Sequence, residues 1–415
     1  MNDVKFITLD NGLTILIYSD KSKITNRVEL ITFIGGMSNE CEDCKGNIKK
    51  IKPGTAHLLE HYVYENTIYG DLMDVLYDNK AISSNAITYP EKTVMYFETV
   101  YNFKENLQLF LEGMYNVIFS KDRLDKVKYA VYNEIRDSKD IIKKRIYWKL
   151  VGGIFNSSLD NLGTKTSVKS ASYKYLKDIY DNFYVPKNQF LVVAGNFDEE
   201  EILDLINKFY SKYTFDNNKR MPAIKEEYYV VKREHTINAN ANEVVISYKI
   251  NTNNMSNFDR YKFDWYLSFF CDINFSRFSM LNEKLKKENI IIGDISSSSY
   301  CRCGYEVLEI SAYTNKKDEF VKEVNNVIKN FENSKDEFEL EKKDSILRIS
   351  VRSDNMYEYV YPVVENYILF DYLYNDTTEF VSSLDFNEYI KCINNTDFNN
   401  YSVLIIRGKD TKSCK

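Results

Sequence analysis

The stretch His57-Leu-Leu-Glu-His61 holds two of the three histidines in a chain of 415 residues. Residues 54–79 have helical patterning, and on a helix His57 and His61 lie one turn apart on the same face. Glu60 shares that face, so two imidazoles can bind one Zn²⁺ while the carboxylate takes a proton from metal-bound water. A chance H-x-x-E-H is expected about once in several hundred such chains, which favours a site over an exposed helix face without function.

A hydrolytic zinc site needs a third protein ligand, and Glu134 is the candidate. Leu124, Val127, Ala130 and Val131 form the apolar stripe of a predicted helix, and Glu134 continues that stripe. A carboxylate on the apolar face is costly without a partner, and a metal ion would offset that cost. The alternative is that Glu134 lies at the edge of the stripe and reaches water.

The composition excludes several classes of protein. Lys and Arg number 55 against 61 Asp and Glu, which gives a formal charge of −6, and 44% of the residues are apolar. These globular values exclude a disordered or collagen-like chain, and the mild acidity argues against nucleic acid or an anionic membrane as partner. Neither a secretory signal nor an apolar run of ~18 residues is apparent, so a cytoplasmic protein without a membrane span is expected. The abundance of Lys, Asn, Ile and Tyr is typical of an AT-rich bacterial genome and indicates a bacterial source.

The order of predicted elements indicates two domains. Residues 1–213 and 228–415 each begin with strands and have near their ends an apolar strand closed by a glycine, Gly195 and Gly408. A predicted helix over residues 199–212 follows the first of these strands. The polar segment 214–227 between them is predicted to be the linker. The predicted fold class is α+β, with two similar domains that each have a mostly antiparallel sheet and helices packed on one face.

Two smaller features leave alternatives open. Cys41 and Cys44 have the spacing of a metal knuckle or a redox pair, but a polar loop without such a role has the same appearance. His235, the third histidine, lies near the start of the second half. It is predicted to be a surface residue of a strand.

Several motifs of the first half resemble the pitrilysin/insulinase family of zinc peptidases. Gly54-Thr-Ala-His-Leu-Leu-Glu-His61 is similar to the family's G-x-x-H-x-x-E-H, and Glu134 follows about seventy residues later. Asn85-Ala86-Ile-Thr88 resembles its Asn-Ala-x-Thr strand, and Leu162-Gly-Thr and Val193-Ala-Gly also have counterparts. The length resembles the short branch that includes mitochondrial processing peptidase, in which two chains form a clamshell around the site.

The resemblance implies a duplicated α/β roll and a set of roles for named residues. His57, His61 and Glu134 would bind zinc, and Glu60 would act as general base on zinc-bound water. Asn85 and Ala86 would lie on the edge strand that holds the substrate. An extended peptide added to a sheet edge gains affinity through main-chain hydrogen bonds without a demand for sequence.

The second half departs from the family pattern at two positions. Active members carry an Arg and, seven residues on, a Tyr, which bind substrate and stabilise the oxyanion. Asn282 and Asn289 stand at the matching positions here. This departure predicts that a homologous partner chain supplies the Arg and Tyr, with a heterodimer favoured over a homodimer.

The resulting hypothesis is a zinc metalloendopeptidase subunit that hydrolyses short or unfolded peptides. The processing of bacterial peptides or bacteriocin-like precursors is one hypothesis for its role. The alternative is a catalytically inactive zinc-binding scaffold or interaction subunit of such a complex.

Overall fold

The computed structural model describes residues 4–42, 47–156, 161–215, 224–352, 355–372 and 376–408. The described residues form two compact units. The first consists of those up to 141 and of 161–225, and the second of 142–156 and those from 226 onwards. The domain boundaries at 213 and 228 stay a prediction, because residues 216–223 of the proposed linker lie outside the described residues.

The first unit contains a six-stranded sheet and a small two-stranded sheet. The strands are β1 (Lys5–Thr8), β2 (Thr14–Ser19), β3 (Asn26–Thr32), β4 (Glu40–Glu42), β5 (Ile48–Lys50), β6 (Ala81–Thr88), β7 (Thr93–Thr99) and β8 (Gln189–Gly195). The large sheet has the order β1-β2-β8-β3-β7-β6, and β4 pairs with β5. Only β2 and β8 pair in parallel within the large sheet. Strand β6 is the last in the order and forms one edge of the sheet.

Seven helices in the described part of this unit accompany these sheets. They are α1 (Thr55–Glu65), α2 (Leu72–Asp78), α3 (Phe103–Tyr115), α4 (Lys121–Ser138), α6 (Lys165–Ser170), α7 (Tyr173–Phe183) and α8 (Glu199–Tyr210), with α5 (Ile142–Ile154) belonging to the second unit. Nine of the eleven residues of α1 are buried, including His57 and Glu60. Helix α4 begins after Ser120, whose hydroxyl accepts from the Arg123 N–H, and its apolar stripe faces the core. This packing fixes the two helices that carry the predicted ligands.

The second unit repeats the strand order of the first. Its strands are β9 (Glu234–Ala239), β10 (Glu243–Asn251), β11 (Ile292–Arg302), β12 (Tyr305–Tyr313) and β13 (Tyr401–Gly408). The order β9-β13-β10-β12-β11 matches β2-β8-β3-β7-β6, and the parallel pair β9 and β13 corresponds to β2 and β8. The prediction of two α+β units with mostly antiparallel sheets is confirmed.

Helices α9 to α15 belong to the second unit. They are α9 (Asn257–Phe275), α10 (Met280–Lys287), α11 (Lys317–Asn330), α12 (Lys335–Arg352), α13 (Met356–Phe370), α14 (Thr377–Ser383) and α15 (Phe386–Asn394). Their apolar side chains form one core with one face of the sheet. None of the helices in the described part of the chain combines the length and the apolar character that a bilayer crossing requires.

Helix α5 covers the opposite face of the second sheet. Ile142, Ile146 and Leu150 pack against Leu404 and its neighbours on that face. His235 lies beneath this helix, where it is 8% exposed and its Nε2 is 3.0 Å from the Lys149 carbonyl oxygen. The prediction of a surface position for His235 is therefore wrong, because a helix from the first half of the sequence covers its strand.

Candidate active site

Helix α1 begins with a close backbone approach. Gly54, which precedes the helix, has a φ of +78°, and a Cβ at this position would lie 2.5 Å from the Leu162 carbonyl oxygen. Glycine meets both demands, since it adopts a positive φ readily and has no side chain. His57, Glu60 and His61 follow on this helix, and the first two are buried. The predicted helical placement of the motif is thus observed.

Glu134 of α4 faces the two histidines. Its Oε2 is 3.2 Å from His57 Nε2, and its Oε1 is 3.3 Å from His61 Nε2. The Glu134 side chain is 42% exposed, so it lies at the edge of the apolar stripe rather than within the core. The structure therefore brings together the three residues that the sequence suggested as ligands.

The side chains of His61 and Glu134 stabilise each other's charged form. Burial lowers the pKa of His61, but hydrogen bonds with Glu134 and Glu65 and the nearby Glu60 charge outweigh it and raise that pKa to about 10. The hydrogen bonds from His57 and His61 hold the pKa of Glu134 well below its usual range. An imidazolium and a carboxylate thus face each other where a cation would be bound.

The donor set fits zinc. One ligand atom from each of His57, His61 and Glu134 lies within 4.8 Å of the other two. Among the described residues, no other group of three or more His, Cys, Asp or Glu side chains comes together in this way. Two imidazoles and one carboxylate form a common set of protein ligands at catalytic zinc sites. His57 Nδ1 is buried without a hydrogen-bond partner, whereas His61 Nδ1 lies 3.1 Å from Glu65 Oε1. Glu65 is the kind of outer partner that orients a metal-bound imidazole.

The Glu60 side chain is directed by a residue of the sheet. The Thr88 hydroxyl donates to Glu60 Oε2 at 2.6 Å, and Thr88 is the last residue of β6. Sequence reasoning assigned no role to Thr88 or Glu65. The position of Glu65, four residues after His61 on one helix face, was a usable signal, whereas the contact of Thr88 depends on the tertiary fold.

Asn85 and Ala86 lie on the edge strand β6, as the resemblance implied. Asn85 is exposed and Ala86 is half-buried. The Ala86 N–H donates to Asn85 Oδ1 at 2.8 Å. Their role in substrate binding stays a prediction.

Asn282 and Asn289 occupy structural positions in the second unit. Asn282 is 1% exposed in α10, where its side chain donates to the Arg277 carbonyl and accepts from the Ile295 N–H. Asn289 follows the helix with a φ of +52°, a conformation that asparagine tolerates better than most residues. Cys44, one half of the Cys41–Cys44 pair, lies outside the described residues.

Two sequence profiles of one family match the chain. The insulinase profile (peptidase family M16) matches residues 49–170, and the profile described as the peptidase M16 inactive domain matches residues 170–346. The uncharacterized zinc protease YmfH of Bacillus subtilis is 24% identical over 238 residues, which are 56% of this chain and 55% of that protein. The matches span about half the length of the first curated relatives.

Solved structures share the fold. An M16-like peptidase from Alicyclobacillus acidocaldarius has a TM-score of 0.87 at 18% identity, with 98% of each chain covered. Pitrilysin has a TM-score of 0.74 at 19% identity, with 98% of this chain and 45% of that chain covered. The names of the zinc protease relatives and the His57–His61–Glu134 group are consistent with zinc, the predicted cofactor. The chain belongs to the M16 (insulinase, pitrilysin-like) family of peptidases.

Proposed function

We propose that the chain is a zinc-dependent metalloendopeptidase subunit. The observation that carries this proposal is the convergence of His57, His61 and Glu134, with Glu60 on the same helix as both histidines. Zinc, when bound, lowers the pKa of a coordinated water and polarises a carbonyl group. The three ligand side chains would hold the ion.

Glu60 supplies the proton transfer in this proposal. Its carboxylate would accept a proton from the attacking water and pass it to the leaving amine. Burial of Glu60 keeps solvent away from the carboxylate, and Thr88 occupies only one of its oxygens by a side-chain hydrogen bond. The other oxygen can then face the substrate side.

The edge of β6 is the proposed substrate platform. Asn85 and Ala86 lie on this edge, and an extended peptide would add there as a further strand. Main-chain pairing accepts many sequences but requires an unfolded segment. Short or unfolded peptides are therefore the proposed substrates. Bacterial precursor peptides and bacteriocin-like precursors are one proposed class of such peptides.

A partner chain completes the site in this proposal. Asn282 and Asn289 replace the Arg and Tyr of active relatives, and the hydrogen bonds of Asn282 tie α10 to β11 rather than leave a polar group for substrate. A homologous chain would bring the missing pair. Efficient peptide cleavage by the purified single chain would contradict this part of the proposal.

The alternative function is a zinc-binding subunit without catalysis, and the Asn282 and Asn289 substitutions favour it over an active single chain. Glu60→Gln separates the two readings, because it keeps the size of the side chain and removes the base. On the peptidase proposal, kcat falls by about 10²–10⁴-fold, the range for loss of a general base, while the zinc content stays near one per chain. Cleavage by the zinc-loaded wild type with its partner is the reference, and an unchanged kcat in the variant would reject Glu60 as base.

A further inference from the structure

The Thr88–Glu60 hydrogen bond links the edge strand to the proposed base. The donor–acceptor distance is 2.6 Å, and Thr88 and Glu60 are only 9% and 7% exposed. A short hydrogen bond to a buried carboxylate restricts its torsions more than an exposed contact does, because little water competes for the same oxygen. The hydrogen bond from Thr88 thereby holds one carboxylate oxygen of Glu60, Oε2, in place.

The backbone at Thr88 and at the next residue, Tyr89, is held by two hydrogen bonds from other segments. Asn161 Nδ2 donates to the Thr88 carbonyl oxygen at 2.8 Å, and the Gly36 N–H donates to the next carbonyl, that of Tyr89, at 2.9 Å. A Cβ on Gly36 would lie 1.8 Å from Asn161 Oδ1, so the glycine is what lets these segments approach. The end of the β6–β7 hairpin is thus braced where it meets Glu60.

We propose that Thr88 is a positioning residue, which orients the Glu60 carboxylate for proton transfer through its hydroxyl group. This inference rests on the proposed function, since it assigns a role in the same reaction. Thr88 would not touch substrate or metal. Because Thr88 shares β6 with Asn85 and Ala86, one strand would both hold the peptide and orient the base.

The test compares three single variants of the zinc-loaded full-length chain, assayed with its partner chain where cleavage requires one. Thr88→Val keeps the shape and removes the hydroxyl, Thr88→Ser keeps the hydroxyl, and Thr99→Val makes the same change at the far end of the hairpin. Thr99 is a buried threonine whose hydroxyl bonds to the Tyr101 carbonyl, which makes it a matched control. Thr88→Ala, which removes the same hydroxyl, replaces Thr88→Val if the latter does not fold.

The expected result is a selective loss of turnover. Thr88→Val lowers kcat about ten- to a hundredfold, the scale on which misplaced catalytic groups act, while KM and zinc content stay near the wild-type values. Thr88→Ser and Thr99→Val retain most of the wild-type kcat. An unchanged kcat in Thr88→Val, or an equal loss in Thr88→Ser, would overturn the inference while leaving the peptidase function in place. A wild type that cleaves nothing would instead overturn the proposed function.

A second readout does not depend on catalysis. Thermal unfolding of the metal-free protein is measured for Thr88→Val, Glu60→Ala and the double variant. If the two side chains are bonded in solution, Thr88→Val lowers the unfolding midpoint less in the Glu60→Ala background than in the wild type, because the buried acceptor is already gone. Additive shifts would show that the contact is absent and would overturn the inference.

Discussion

The metal-free protein is expected to hold His61 as an imidazolium well above neutral pH. The nearby carboxylates of Glu134 and Glu65 outweigh burial and raise its pKa from the usual 6.5 to about 10. At pH 7.5 roughly one ring in three hundred is then neutral, against roughly nine in ten for an ordinary imidazole. Since zinc binds the neutral ring, proton competition lowers the apparent zinc affinity about 300-fold at that pH.

The same pKa shifts set the sign of the pH dependence of stability. The raised pKa of His61 gives a stabilisation that is complete below pH 6.5 and is lost as the pH rises towards about 10. The lowered pKa of Glu134 gives a stabilisation that is present above its usual value of 4.5 and is lost as the pH falls below it. Stabilisation of the metal-free protein by this pair is therefore greatest between about pH 4.5 and 6.5.

The assay is an NMR titration of the imidazole nitrogens of the metal-free protein. Three histidines in the chain make the spectrum simple to assign. His61 should titrate near pH 10, and Glu134→Gln should move its midpoint towards 6.5, because the opposing charge is removed. Glu65→Gln should shift it in the same direction, and zinc should abolish the titration. A His61 midpoint near 6.5 in the wild type would show that Glu134 and Glu65 do not hold the proton on this ring.

Two further predictions concern stability. Gly54→Ala should lower the free energy of unfolding by at least about 1–2 kcal/mol, the cost of a left-handed conformation, because its Cβ would also collide with the Leu162 carbonyl; an unchanged chemical denaturation curve would contradict the close approach. Asn282→Ala should cost about 1–3 kcal/mol, because the buried Ile295 N–H loses its acceptor. Zinc content measured by metal analysis should stay at the wild-type level in Asn282→Ala, and a loss of zinc would contradict a purely structural role for Asn282.

The parts of the site that sequence could predict depend on local geometry. The i, i+4 spacing of His57 and His61 is a property of any helix, and the stripe through Val127 and Val131 placed Glu134 beside the core face. In these cases the period of the secondary structure carries the information.

The parts that sequence missed depend on contacts between distant segments. His235 is buried only because α5, which lies about ninety residues earlier in the sequence, packs across β9. The bond from Thr88 to Glu60 joins residues 28 positions apart in a strand and a helix. No local pattern specifies which helix covers a sheet face or which hydroxyl reaches a carboxylate, so both required the folded chain.

The Asn85 side chain affects how the edge of β6 can form hydrogen bonds with a strand from another chain. Its Oδ1 accepts from the Ala86 N–H, so this edge donor is already satisfied within the chain. An exposed strand edge with open donors invites pairing between copies and aggregation. A peptide that pairs at Ala86 through this N–H must first displace the asparagine, so that step exchanges one hydrogen bond for another and gains little by itself. On the proposal that peptides bind at this edge, Asn85 would therefore favour peptides that make further contacts along the strand over those that pair at Ala86 alone.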